Sequence, residues 1–158
     1  MTPTVIMEKA IQNHRNGEKM KKILSFGEII WDVYEKKALI GGAALNFSAH
    51  AARCGQETYL FSALGQDELG REAIAIIHKF GVRTDFIKYS DKETGRCLVS
   101  LDKNGVPSYH VVQDVAYDHI TVSDHDIIAI REMAPDALYF GTLIQRSATS
   151  RARFEKRR

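Results

Sequence analysis

Two short apolar runs, ILSFGEII at 23–30 and TYLFSAL at 58–64, are each followed by a stretch with helical periodicity. This rhythm restricts the fold more than any other feature of the chain. Neither run alternates apolar with polar residues, so both read as strands covered on two faces, the first ending near Glu28. After the first, Gly41 and Gly42 open a helix over Ala43 to Cys54. Leu45, Ala49 and Ala52 form its stripe, and Gly55 stands where a positive φ is usually needed. After the second, Leu69, Ala73, Ile76, Ile77 and Phe80 recur at helical spacing, with Asp67 and Glu68 near the positive end and Gly81 after the last turn. Strand, helix, strand, helix in this order predicts right-handed crossovers and a mainly parallel sheet with helices packed on it.

From Gly95 the pattern changes. CLVSLD alternates along Cys97, Val99 and Leu101, Lys103-Asn104-Gly105 supplies turn chemistry, and SYHVVQ reads as the return strand of an antiparallel hairpin. Ser123 caps a predicted helix over Asp124 to Met133, with Ile127, Ile128 and Ile130 as its apolar positions. Pro135 breaks it, and Ala137 to Phe140 is a further strand. In SATSRARFEKRR at 147–158, Phe154 is the only large apolar residue, so nothing there would anchor a helix to the sheet. The strand ending at Phe140 is then expected to present an apolar edge.

At 158 residues and 44% hydrophobic, the chain is long enough for one domain with a real core, needing neither disulfides nor metal. Cys54 and Cys97 make no disulfide framework, and the histidines at 14, 50, 78, 110, 119 and 125 lack ligand spacing. No metal site is expected. The net charge of +2 hides a division. Residues 1–22 carry five Lys/Arg against two Glu, residues 23–150 carry 12 against 17 acids, and residues 151–158 carry five against one. The body is acidic, which argues against a nucleic-acid surface. No apolar run approaches the roughly 20 residues needed to span a bilayer, and the start has no signal-peptide pattern; a cytoplasmic protein is expected. Residues 1–22 read as a polar extension, with Met20 a candidate natural start, residues 23–150 as the domain, and residues 151–158 as a basic tail.

Three features bear on chemistry: Asp32 just past the first strand, the Gly41-Gly42 pair at a helix start, and Asn46 one turn into that helix. In open α/β sheets, ligands bind beyond the carboxyl ends of the strands, where helix amino ends present free N–H groups. A carboxylate accepts hydroxyl hydrogens, an amide both donates and accepts, and paired glycines let backbone approach; together they suit a polyhydroxylated ligand such as a sugar. Taken singly, Asp32 is a solvated loop acid and Gly41-Gly42 an ordinary turn. Arg96 and Tyr109 lie on the hairpin strands, and Arg146 follows the last strand toward the crevice. Neither a dinucleotide fingerprint nor a P-loop occurs.

The assembled string GGAALNFSAHAARCG, followed by GQDELG, resembles the first signature of the ribokinase-like, PfkB-type carbohydrate kinases. The similarity continues through GEIIWD, FGVRTDFI, TGRCLVSLDKNG and PDALYFGTLIQRS, covering residues 23–150, and is greatest to fructokinase-type sugar kinases. The resemblance implies about the first half of a three-layer α/β/α sandwich with a small β lid, near residues 33–40 and 95–113. It places Asp32, Gly41, Gly42 and Asn46 on the sugar hydroxyls and makes the glycine pair the lid's hinge. Full-length members use ATP and Mg2+. The family's second signature, a GAGD-type segment carrying the catalytic aspartate and an anion hole, is not found in this sequence. No catalytic residue is therefore assigned, the ATP site is expected to lie outside the chain, and turnover by the chain alone is not expected. A small-molecule sugar is the implied partner, with a homodimer through the lid strands. The alternatives are a kinase for a keto-deoxy sugar acid or nucleoside, or a non-catalytic truncated fragment, which the basic tail favours.

Overall fold

A computed structural model describes residues 19–146. The proposed extension before residue 19 and the tail from 147 lie outside the described residues. In chain order the elements are β1 (Lys22–Phe26), β2 (Ile30–Val33), β3 (Ala38–Gly41), α1 (Ala43–Arg53), β4 (Glu57–Gly65), α2 (Glu68–Lys79), β5 (Ile87–Ser90), β6 (Arg96–Leu101), β7 (Pro107–Val111), α3 (Asp124–Met133) and β8 (Ala137–Phe140). Short 3-10 turns occupy Ala116–His119 and Leu143–Arg146. None of the described helices is long and apolar enough to cross a membrane.

The strands form two sheets. The main sheet has the order β5-β4-β1-β8, every pair parallel, with Ser25 in register with Leu60 on one side and Tyr139 on the other. The second has the order β3-β2-β6-β7; β3 and β7 run antiparallel to their neighbours, while β2 and β6 are parallel. Alternate residues of the main sheet face opposite sides. Leu60 and Leu64 pack with Leu45 of α1 and with Ala73 and Ile77 of α2. On the other side, Leu24, Phe26 and Phe61 join Phe86, Tyr117 and Ile144, with Ala129, Ile130 and Met133 of α3 against them. Helices thus cover both faces, giving the α/β/α layering.

The helix ends obey the local rules. The Asp67 side chain accepts the Gly70 N–H at 2.8 Å to start α2, and Ser123 and Asp126 form a reciprocal box at the start of α3. Gly55 and Gly81 adopt φ of 81° and 76° after α1 and α2. Two readings change. The apolar run 23–30 is not one strand: β1 ends at Phe26, beside Gly27, where a Cβ would come within 2.6 Å of the Ala44 Cβ, and the chain resumes as β2 in the other sheet. Ile29 and Ile30 accordingly belong to different cores. In α3, Ile128 points outward, 54% exposed, and the buried position is Asp126, tied to Lys88 on β5. The apolar edge holds: among the described strands β8 pairs only with β1, and Leu138 and Phe140 are exposed.

Two of these contacts make stability depend on acid. Burial pushes the Asp67 carboxyl upward, but hydrogen bonds from the Thr94 hydroxyl, the Thr94 N–H and the Gly70 N–H outweigh it and hold the group below its ordinary 3.8. Asp126 is likewise raised by burial and lowered further by Lys88 and Ser123. A group whose folded pKa is depressed binds protons first in the unfolded chain. Its contribution is complete above 3.8 and is lost as pH falls through the folded value. Urea midpoints are expected to hold steady from pH 7 to 5 and to drop below pH ~4. Thr94→Val should shrink that acid-dependent drop, and an unchanged profile in this variant would refute the assignment to Asp67.

Candidate acceptor-binding site

The sequence placed Asp32 just beyond the first strand; it lies instead within β2, paired with Leu39 of β3 and Cys97 of β6. Paired residues point to one face of a sheet, and so do alternate ones. Asp32, Leu39, Gly41, Ile30 and Cys97 therefore share a face of the second sheet. Asp32 is half-buried, and no hydrogen bond or ion pair ties its carboxyl to another described residue. Burial pushes the neighbouring Cys97 thiol up, and the Asp32 charge adds to that shift.

Gly41 closes β3 opposite Ile30. A Cβ there would lie 3.8 Å from Nδ2 of Asn46, so the bare Hα edge of Gly41 looks onto the Asn46 amide. Asn46 stands on the first turn of α1, its backbone N–H bonded to the Gly42 carbonyl at 2.8 Å. Gly42 caps the helix at φ 110° and ψ 139°, a conformation open to glycine alone, and a Cβ there would overlap the Glu28 carbonyl oxygen. Gly41, Gly42 and Asn46 thus stand where β3 hands the chain to α1, and Asp32 lies on the same face of the second sheet as Gly41. Asp32 offers acceptors, Asn46 both donor and acceptor, and Gly41 puts no side chain against the Asn46 amide.

Two residues that pattern reasoning passed over build this junction. Glu28, 3% exposed, accepts the Ala43 N–H at 2.6 Å and so satisfies the first turn of α1. Its signal was a lone acid inside the apolar run SFGEIIW. Thr94 fastens the approach to β6: its hydroxyl donates to Asp67 at 2.6 Å and accepts the Gly65 N–H at 3.0 Å. Trp31, the only tryptophan, anchors β2 from the other side by donating its indole N–H to the Leu69 carbonyl at 3.2 Å.

The remaining candidates lie elsewhere. Arg146 does not enter the crevice; its guanidinium makes a two-pronged pair with Asp118 at 2.8 and 2.7 Å, donates to the Val112 carbonyl and stacks over Tyr117. Arg96 pairs with Glu93, and Tyr109 is exposed on β7. His50 and His78 are exposed on their helices, and His78 meets the Thr84 hydroxyl. Among the described residues, no three His, Cys, Asp or Glu side chains cluster as metal ligands.

Comparison with known proteins places this junction in context. The pfkB family carbohydrate kinase profile matches residues 15–130. The chain is 29% identical over 86 residues to the fructosamine kinase FrlD of Bacillus subtilis, a match covering 53% of this chain and 30% of that protein. The uncharacterized sugar kinase PH1459 of Pyrococcus horikoshii superposes with a TM-score of 0.73 at 27% identity, over 86% of this chain and 48% of that one. A fructokinase of Halothermothrix orenii shares the fold, with a TM-score of 0.71 at 21% identity, over 83% of this chain and 50% of that one. The chain spans about half the length of these solved relatives.

Proposed function

Because the chain belongs to the pfkB family of carbohydrate kinases, we propose that it supplies the acceptor-binding portion of an ATP-dependent, fructokinase-like sugar kinase. What supports this reading is the position of Gly41, Gly42 and Asn46 at the β3–α1 junction, with Asp32 on the same sheet face as Gly41. Asp32 accepts hydrogen bonds from sugar hydroxyls, Asn46 donates and accepts one turn into α1, and the glycines let the ring lie against backbone. The second sheet is the lid over this crevice, and water excluded by its closure strengthens every one of these bonds. ATP with magnesium is the phosphoryl donor in this reading, held by the part of the relatives that the chain does not span. One of the PH1459 structures is a complex with ATP. Phosphoryl transfer is catalysed by positioning and charge stabilisation, and the described residues provide the acceptor side of that arrangement. The chain alone is therefore proposed to bind sugar without turning over ATP.

FrlD favours a second acceptor class, since its name specifies a sugar carrying an amine. Calorimetric titration of the purified chain with fructose and with 1-amino-1-deoxyfructose tests both. Binding is expected with fructose or an amine-bearing ketose. Asp32→Ala is expected to weaken it by about tenfold or more, the worth of a hydrogen bond to a charged group. Equal affinity in wild type and Asp32→Ala would remove Asp32 from the site, and ADP release on adding Mg-ATP would overturn the half-enzyme reading.

A further inference from the structure

A cleft of about 480 Å³ opens on the face of the main sheet that α3 covers, walled by α3 on one side and by the first residues of β4 and β5 on the other. Clefts of this size take small organic ligands. It lies at the opposite end of the sheet from the acceptor crevice. Lys22 is the first residue of β1, Tyr59 is near the start of β4, and Arg83 and Phe86 precede β5, so the cleft sits at the amino ends of parallel strands. Gly27, just past the carboxyl end of β1, is where the chain meets Ala44 at the start of α1.

The walls are held by contacts of their own. Phe86 stacks on Phe61 at 5.6 Å and tilts against Tyr59 at 6.1 Å, and the Tyr59 hydroxyl donates to Glu57 at 2.6 Å. Ala129 and Met133 of α3 face these rings, and the helix between His125 and Met133 gives the cleft a length of about 12 Å. Two of its cations are already committed: Arg83 makes a two-pronged pair with Asp85, and Lys88 pairs with Asp126. Lys22 differs. Its half-buried side chain donates from Nζ to the Met133 carbonyl at 3.2 Å, and no carboxylate of the described residues pairs with it. Two of its three ammonium hydrogens therefore remain to be used. A cation in that state beside aromatic and aliphatic walls is matched by a ligand with an anionic end and an apolar body.

We propose that this cleft is a second binding site, for a small aromatic carboxylate, with the carboxylate on the Lys22 ammonium and the ring between Tyr59 and Phe86 on one wall and Ala129 and Met133 on the other. The site is separate from the acceptor crevice, so its occupancy does not depend on which sugar the chain binds. A lysine that only capped the last turn of α3 would not distinguish an acid from a neutral molecule of the same shape.

Titration of the full chain, labelled at its alanine and methionine methyls, with 1-naphthoate and with the neutral 1-naphthalenemethanol tests this by NMR. Naphthoate is expected to shift the Ala129 and Met133 methyls saturably, and the alcohol to bind about tenfold or more weakly, the worth of a hydrogen bond to a charged group. Lys22→Met keeps the apolar stem without the charge and is expected to bring the acid down to the affinity of the alcohol. Lys22→Arg should restore most of the difference. Ala129→Phe fills the middle of the cleft while leaving Lys22 in place, and should abolish the shifts at Met133. The comparison of acid with alcohol needs only the wild-type chain, so it decides the matter even if a variant loses α3. Absence of saturable shifts, equal affinity for acid and alcohol, or undiminished binding of the acid by Lys22→Met would overturn the proposal.

Discussion

Alanine in place of Gly42 is expected to destabilise the chain by about 3 kcal/mol or more and to abolish sugar binding with it. Two penalties coincide at this position. The φ of 110° with ψ of 139° is open essentially to glycine alone, and the added Cβ would overlap the carbonyl oxygen of Glu28 and stand 3.1 Å from its carbonyl carbon. Relief requires Glu28 or the start of α1 to move, and the Ala43 N–H bond links the two. Two other glycines separate the contributions. Gly105→Ala meets a positive φ of 78° with nothing within 4 Å, so only the conformational penalty of about 1–2 kcal/mol is expected. Gly41→Ala meets ordinary backbone and only the Asn46 amide at 3.8 Å. It should keep its unfolding midpoint while losing affinity. Urea unfolding together with sugar titration of the three variants checks the order, and a Gly42→Ala chain as stable as wild type would contradict the geometry.

Arg146→Ala is expected to destabilise by about 3–5 kcal/mol, the usual consequence of removing one member of a buried pair. The Asp118 side chain is 7% exposed and the Arg146 side chain 24%, and their two-pronged contact joins the turn after β8 to the turn after β7. Removing the guanidinium strands the Asp118 carboxyl, orphans the Val112 carbonyl and uncovers the Tyr117 ring. A double variant distinguishes a stranded charge from lost packing. Asp118 also accepts the Val115 N–H at 3.2 Å, a bond asparagine can keep without a charge. Asp118→Asn combined with Arg146→Ala should therefore be more stable than Arg146→Ala alone. If thermal denaturation shows the double variant to be the less stable, a stranded Asp118 charge is not the source of the loss.

Local chemistry was legible in the sequence wherever a rule of short range governs it. Asp67 and Ser123 cap α2 and α3, Gly55 and Gly81 end helices at positive φ, and Lys103-Asn104-Gly105 turns β6 into β7. What escaped depends on partners distant in the chain. An apolar run read by periodicity cannot reveal that a Cβ at Gly27 would meet Ala44 and Gly141, so the pattern ends the strand near Glu28 and does not show β2 as a strand of its own. Asp32 was singled out by type but misplaced for the same reason. Glu28 acquires its role from Ala43, Thr94 from Asp67, and Arg146 from Asp118 and Val112. Each of these pairs joins residues on different elements, and no periodicity marks them. The family resemblance supplied the grouping of Asp32 with Gly41, Gly42 and Asn46; composition alone would have left four unrelated polar or flexible positions.

The parallel pairing of β2 with β6 also fixes an order of events during folding. Trp31 reaches Arg96 only across the intervening β3, α1, β4, α2 and β5, and a parallel pair cannot be zipped from a tight turn. The hairpins β2–β3 and β6–β7 can form locally, but each is a two-stranded ribbon of marginal stability until the other is brought alongside. What brings it is the completed β1–β4–β5 layer, with Thr94 locked to Asp67 and Trp31 to Leu69. The entropy of closing that long loop is paid by the main sheet before the second sheet gains a single cross-strand bond between its halves. Assembly of the second sheet is therefore expected to be a late step, and on partial unfolding it is the surface expected to be given up first.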